Sequence, residues 1–109
     1  MPKIYVTNYN PEFSYDLAKE YGEPVYMTQG FVPPADFNSV SAKFEKFASE
    51  ATEDDFLLLS GANVLVAIAV AAWLKSHANV PVLQHTKKRN AEGRLVPAYT
   101  LYTIGGGNV

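Results

Sequence analysis

The sequence contains no cysteine and only two histidines, His77 and His85, in 109 residues. These absences exclude a disulfide framework, a thiolate nucleophile, a Cys-ligated metal and a multi-histidine metal site, so neither metal nor cofactor is expected. Charge is sparse as well, at 18%, and nine Lys and Arg against eleven Asp and Glu leave a formal net charge of −2. With a pI near 5.6, the whole surface cannot be a basic footprint for nucleic acid, although there is room for one local patch. No signal-peptide pattern of roughly 7–15 apolar residues with a small-residue cleavage site follows Met1-Pro2-Lys3, and an intracellular site of action is expected. What the chain does have is 48% hydrophobic residues and 13% aromatics, including one Trp, seven Tyr and six Phe. That is enough to bury a core, in a chain too short for two domains.

Strand-like and helix-like stretches alternate. Lys3-Ile4-Tyr5-Val6-Thr7 has strand composition and stops at Asn8-Tyr9-Asn10-Pro11, where Asn10 can cap a helix with Pro11 in its first turn. Phe13, Leu17 and Tyr21 then share a helical face, and Gly22 with Pro24 behind it predicts a glycine C-cap. Val25-Tyr26-Met27-Thr28 reads as a second strand and Gln29 to Pro34 as a loop. Asp36 is placed to cap a second helix, whose Phe37, Val40, Phe44 and Phe47 face inward while Lys43, Glu45, Lys46 and Glu50 face water.

After the polar turn Thr52-Glu53-Asp54-Asp55, the continuous apolar run Phe56-Leu57-Leu58-Leu59 predicts a strand covered on both faces. The stretch from Val64 to Ala72 is apolar throughout, which predicts a mostly buried helix running to Ala78. At about 15 residues it falls short of the roughly 20 that span a bilayer, so no membrane association is expected. Asn79 is expected to close that helix in the left-handed conformation before the strand Val80–His85. Asn90-Ala91-Glu92-Gly93 supplies turn chemistry for a hairpin to a last strand, Leu95–Ile104, which Pro97 confines to an edge.

The order β-α-β-α-β-α-β-β predicts an α/β fold: a small three-layer, mostly parallel sheet ordered 2-1-3-4-5 with an antiparallel C-terminal edge strand. Residues 1–104 form the single domain, and residues 105–109 are expected to be a flexible Gly-rich tail.

Ligands of such sheets bind beyond the carboxyl ends of the strands, where strand order reverses. The sequence places Thr7, Asn8 and Asn10 there, with Thr28, Gln29, Ser60, Gly61, Asn63, His85 and Thr86. The Ser60-Gly61-Ala62-Asn63 turn opens the apolar helix and could offer its backbone N–H groups to a phosphate or carboxylate. Its plainer reading is a strand-to-helix turn with Ser60 or Asn63 as cap, because no GxGxxG or GxxxxGK[ST] surrounds it. Ser60 and His85 could form a nucleophile and base, but no G-x-S-x-G elbow is present. His77 is expected to complement the helix dipole.

Four of the nine basic residues, Lys87, Lys88, Arg89 and Arg94, fall in the last hairpin. They could grip phosphate groups, or only form a solvated hairpin tip whose lysines discourage edge-to-edge aggregation. Glu50, Glu53, Asp54 and Asp55 lack calcium-loop spacing and read as a solvated turn.

The string Glu53-Asp54-Asp55-Phe56-Leu57-Leu58-Leu59-Ser60-Gly61, then Asn63-Val64-Leu65 through Trp73 and the basic hairpin, resembles a group of small proteins of tailed bacteriophages whose function is unknown. The likeness covers about half the chain and transfers no functional residue. It implies an accessory protein made in an infected bacterial cytoplasm, where such proteins bind host factors or defence components.

Two functions are therefore expected to compete. The first is a non-enzymatic binding protein with a host protein partner, using Lys87, Lys88, Arg89 and Arg94, with an added homodimer through the last strand. The second is a nucleotide or phosphate-ligand domain, a sequestering binder or small hydrolase, using Asn8, Asn10, Thr28, Ser60, Gly61, Asn63 and His85. Nucleic acid is a weaker partner for the hairpin.

Overall fold

The computed structural model describes residues 2–12 and 14–105. Its elements are β1 (Lys3–Val6), β2 (Glu23–Tyr26), α1 (Phe37–Glu50), β3 (Phe56–Leu59), α2 (Asn63–Ser76), β4 (Asn79–Arg89) and β5 (Leu95–Gly105). They form one five-stranded sheet of order β2-β1-β3-β4-β5. The first three pairings are parallel and β4–β5 is antiparallel. The expected α/β fold, strand order and antiparallel edge are all present.

Topology decides which face each connection covers. Right-handed crossovers that step from β2 past β1 to β3, and from β3 to β4, put α1 and α2 on the same face. The step from β1 to β2 runs the other way and puts its connection on the opposite face. Accordingly Tyr5, Leu57, Val80 and Val82 form one core with Phe44, Ala48, Leu65, Ala69 and Trp73 of the helices. On the opposite face Ile4, Val6, Leu58 and Leu83 pack with Tyr15, Ala18 and Tyr99.

That second cover is not the expected helix. From Pro11 to Gly22 the described chain forms a single 3-10 turn, Ala18–Glu20. The periodic reading placed Leu17 inward, yet Leu17 is 44% exposed and Tyr15 is buried. Tertiary contacts prevail over periodicity here: Asn10 N–H donates to the Tyr15 hydroxyl at 2.9 Å, and Tyr9 N–H donates to Thr28 O at 2.8 Å. Phe13 of that expected face lies outside the described residues. Gly22 is not a left-handed cap either. It is buried where a Cβ would stand 2.4 Å from the Pro2 carbonyl oxygen, so close backbone approach is what requires glycine.

β2 starts two residues earlier than expected and includes Pro24. Glu23 N–H bonds Pro2 O and Met27 N–H bonds Val6 O, so Pro24 falls in the alternate position, facing away from β1 on an edge strand where no donor is needed. At the start of α1, Asp36 occupies the N-cap without a side-chain hydrogen bond, and the 3-10 turn Pro34–Asp36 leads the chain in. Val40 and Phe44 are buried as the spacing predicts, Phe37 and Phe47 are partly buried against the same core, and Ala48 is buried beside them.

The apolar helix α2 is less buried than expected. Leu65, Ala69, Ala72 and Trp73 face the core, while Val64 and Leu74 are exposed on its outer side. Its C-cap, His77, is extended, and no described non-glycine residue has a positive φ, so Asn79 begins β4 instead of closing the helix in a left-handed turn. Among the described residues no helix is long and apolar enough to cross a membrane. Of the expected Gly-rich tail, Gly105 belongs to β5 and residues 106–109 lie outside the described residues.

Candidate functional site

The carboxyl ends of β1, β2 and β3 meet where the strand order reverses, and their polar side chains converge. Thr7, wholly buried, lies at the centre. Its hydroxyl donates to the Ser60 carbonyl and accepts from the Ser60 N–H at 2.8 Å. The Thr28 hydroxyl donates to Thr7 O at 2.7 Å, and Asn8 Nδ2 donates to Gly30 O at 2.9 Å. Ser60 Oγ lies 3.4 Å from the Tyr15 hydroxyl. These groups fasten the strand ends to one another, and none of the described buried side-chain N or O atoms lacks a partner.

Gly61 has φ +99° and sits on the Asn8 side chain, with a Cβ position only 2.7 Å from Asn8 Cβ. The tight turn therefore requires glycine for both conformation and space. The cap reading of this turn needs correction. Ala62 is the N-cap of α2, with no side-chain cap, because Ser60 turns toward Thr7 and Tyr15 and exposed Asn63 is already the first helical residue. The Asn10 side chain makes a local turn, its Oδ1 accepting from Glu12 N–H at 3.0 Å, while its backbone N–H reaches the Tyr15 hydroxyl. Gln29 bridges to Tyr9 and is exposed.

His85 stands on β4 one residue past Leu59↔Gln84, the last pair that joins β4 to β3, and so at the edge of this group beside the strand that leads into Ser60. It lines a cleft of about 410 Å³ with Glu12, Ser14, Leu17, Pro97 and Tyr99, its ring edge-to-face with Tyr99 at 5.5 Å. Thr86 bonds across the hairpin to Thr100 at 3.0 Å. His77 Nε2 donates to Ala48 O at 2.8 Å, tying the end of α2 to the end of α1.

Sequence reasoning missed the tyrosine layer over the strand ends. Tyr9, Tyr15 and Tyr26 pack with ring centroids 4.8–5.7 Å apart. Burial raises the Tyr26 and Tyr99 hydroxyls above their ordinary pKa. Seven tyrosines in a small chain were the available signal. Asp55 was missed as well. It is buried instead of solvated, accepting from Lys3 N–H and Thr52 N–H at 2.8 Å each.

The basic cluster is built differently. β3 pairs with β4 only as far as Leu59↔Gln84, while β4 and β5 stay paired to Arg89↔Leu95. The residues from His85 to Arg89 thus continue beyond the sheet as a two-stranded ribbon, about 17 Å long at the usual strand rise. Its tip is firmly folded: Asn90 Oδ1 accepts from both Glu92 N–H and Arg94 N–H at 3.0 Å, and Gly93 has φ +80°. Arg89 donates to Gly93 O at 2.7 Å. Lys87, Lys88, Arg89 and Arg94 are all exposed, and the ion pairs among the described residues, Lys19–Asp16 and Lys75–Glu45, lie elsewhere.

Comparison with known proteins places this arrangement in a family. The model of the family described as Phage Pam3 gp32-like protein matches residues 2–94. The chain belongs to that family. The match bears out the resemblance to bacteriophage proteins, and it runs from β1 through the tip of the ribbon, with β5 beyond it. No curated protein and no solved structure matches.

Proposed function

We propose that this chain is a non-enzymatic accessory binding protein of a phage that acts on a host protein, gripping an acidic face of it with the β4–β5 ribbon. The observation that carries this reading is the ribbon itself. Four cations stand on a hydrogen-bonded scaffold that projects beyond the sheet, in a chain whose net charge is −2. Concentrated charge on a rigid protrusion steers a complementary partner and fixes its register. The strand-end knot supports the same reading from the other side, since Thr7, Asn8, Thr28 and Ser60 spend their hydrogen bonds on one another and on neighbouring backbone. An acidic protein suits the ribbon better than nucleic acid because Glu92 stands among its cations and the remaining surface is net acidic.

The test is capture from bacterial lysate by the immobilised wild type and by a K87E/K88E/R89E variant, with duplex DNA assayed alongside. One protein partner held by the wild type, released by salt and absent from the variant is the expected result. A partner held equally by both, or DNA or a nucleotide bound in place of a protein, overturns the reading.

A further inference from the structure

The sheet ends on β5, an edge strand of 11 residues. Leu95–Gly105 contains no charged residue. Soluble proteins ordinarily guard such an edge with lysines, bulges or prolines. Here the guard is Pro97, and hydrogen-bond alternation shows how little it blocks. Asn90 N–H bonds Arg94 O, so that pair is a hydrogen-bonded one. In an antiparallel ladder the pairs alternate, which makes Arg89↔Leu95 and Lys87↔Pro97 wide pairs. The odd-numbered residues of β5 therefore aim N–H and C=O at the free edge. Pro97 removes one outward donor, while Tyr99, Leu101, Thr103 and Gly105 keep theirs.

We infer that this edge pairs with β5 of a second copy, antiparallel about a two-fold axis at Leu101, joining two sheets into one of ten strands. The register follows from the chain. Centring on Leu101 sets Tyr99 opposite Thr103 of the second copy and Pro97 opposite Gly105, so the proline falls at the margin and the unblocked stretch pairs with itself. Two of the large apolar side chains that β5 leaves in water, Leu101 at 49% and Tyr102 at 37% exposed, are covered at the axis. An uncharged strand meets its own copy without like-charge contact.

Charge at the two ends selects the antiparallel direction. The ribbon cations project past one end of the sheet. Glu53 lines a cleft with His77, Asn79 and Pro81 at the other end, next to Asp54. Antiparallel pairing lays each basic ribbon alongside the acidic end of the second copy, whereas parallel pairing would put two basic ribbons side by side. The isologous edge repeats these contacts twice and closes at two copies. The edge pairing itself rests on β5, and the cations that set its direction are the same ones the proposed host contact uses, so association is read without any host protein present.

The experiment is light scattering across a concentration series, together with hydrogen exchange on the wild type. The mass is expected to rise from one chain to two, with the outward amides of Tyr99, Leu101, Thr103 and Gly105 slowing over the same range. Leu101→Lys, at a position already exposed in the single chain, sets two lysines face to face and is expected to weaken association at least about tenfold. Thr103→Pro deletes an outward N–H from a wide pair and is expected to do the same without disturbing the ladder to β4. A single-chain mass up to about millimolar concentration overturns the inference. So does a dimer undiminished by both variants, or edge protection that arises only when a different protein is added. Because exchange is read on the wild type, the inference can fail even if a variant does not fold.

Discussion

One face of the sheet is covered by two helices and the other by a segment whose described residues form a single 3-10 turn, and their side chains differ accordingly. On the helical face Phe44, Leu65, Ala69 and Trp73 bring no hydrogen-bonding demand beyond the Trp73 indole, and Tyr5 packs against Trp73 and Phe47 with centroids 5.3 and 5.9 Å away. On the other face the covering segment brings Tyr15 and Ala18, with Tyr9 and Tyr21 beside them, and packs on Tyr99 of β5. Tyr15 meets Asn10 N–H and Ser60, and Tyr99 donates to Ser14 O at 3.3 Å. A helix satisfies its own backbone and can present pure hydrocarbon, whereas an irregular segment must find partners for its backbone groups among side chains. Tyrosine supplies both an apolar ring and a hydroxyl, and so serves where helical residues would not.

The strongest test of the contrast is Phe44→Ala, which empties a wholly buried site on the helical face. It is expected to cost about 3–5 kcal/mol, read as a lowered urea midpoint for the whole molecule. Thr7→Val keeps the shape at the strand ends but leaves the Ser60 N–H and C=O without their partner. A loss of about 1–3 kcal/mol is expected in the same measurement.

Tyr15→Phe removes only a hydroxyl, for about 0.5–1.5 kcal/mol. Its signature is local: amide exchange should quicken in residues 9–22 while α1 and α2 keep their protection. Uniform quickening over both faces would show that they open together.

The smallest effect is alkaline. Burial raises Tyr5, Tyr26 and Tyr99, with the Asp55 and Glu50 carboxylates adding to the shift at Tyr5 and the Tyr15 and Tyr26 hydroxyls adding at Tyr99. The folded chain then holds phenolic protons that the unfolded chain, titrating near 10.0, gives up. Stability is therefore complete below about pH 10 and declines as pH rises beyond it. Tyr99→Phe should flatten that decline, as urea midpoints at about pH 9 and about pH 11 would show.

Much of the architecture was legible in local patterns. Phe56–Leu59 is apolar on both sides because it is central, and Phe37, Val40, Phe44 and Phe47 mark the buried side of α1. Pro11 and Leu17 misled because a helical period is only an offer of a face, and the side that docks here carries Tyr15 along with Tyr21. Ser60 looked like a cap because capping residues and strand-end residues are the same small polar types. Its actual partners are about fifty residues away in sequence, in Thr7 and Tyr15, where no local rule reaches. Asp55 escaped among acidic neighbours for the same reason, since its burial depends on Lys3.

By itself the sequence determined the five strands, the two helices and their succession, through hydrophobic period, glycine and proline placement, and the charge-free β5. Right-handed crossovers narrowed the strand orders open to that succession, and the folded sheet took the expected one, β2-β1-β3-β4-β5. Only the tertiary structure decided that the first connection would be a tyrosine-lined turn, that the strand-end hydroxyls would bond one another, and that β4 and β5 would outrun β3 to raise the cations clear of the body. The physical reason is range. Period and turn chemistry act within a few residues, whereas burial, partner choice and the point at which a strand loses its neighbour are set by segments that meet only in the folded chain.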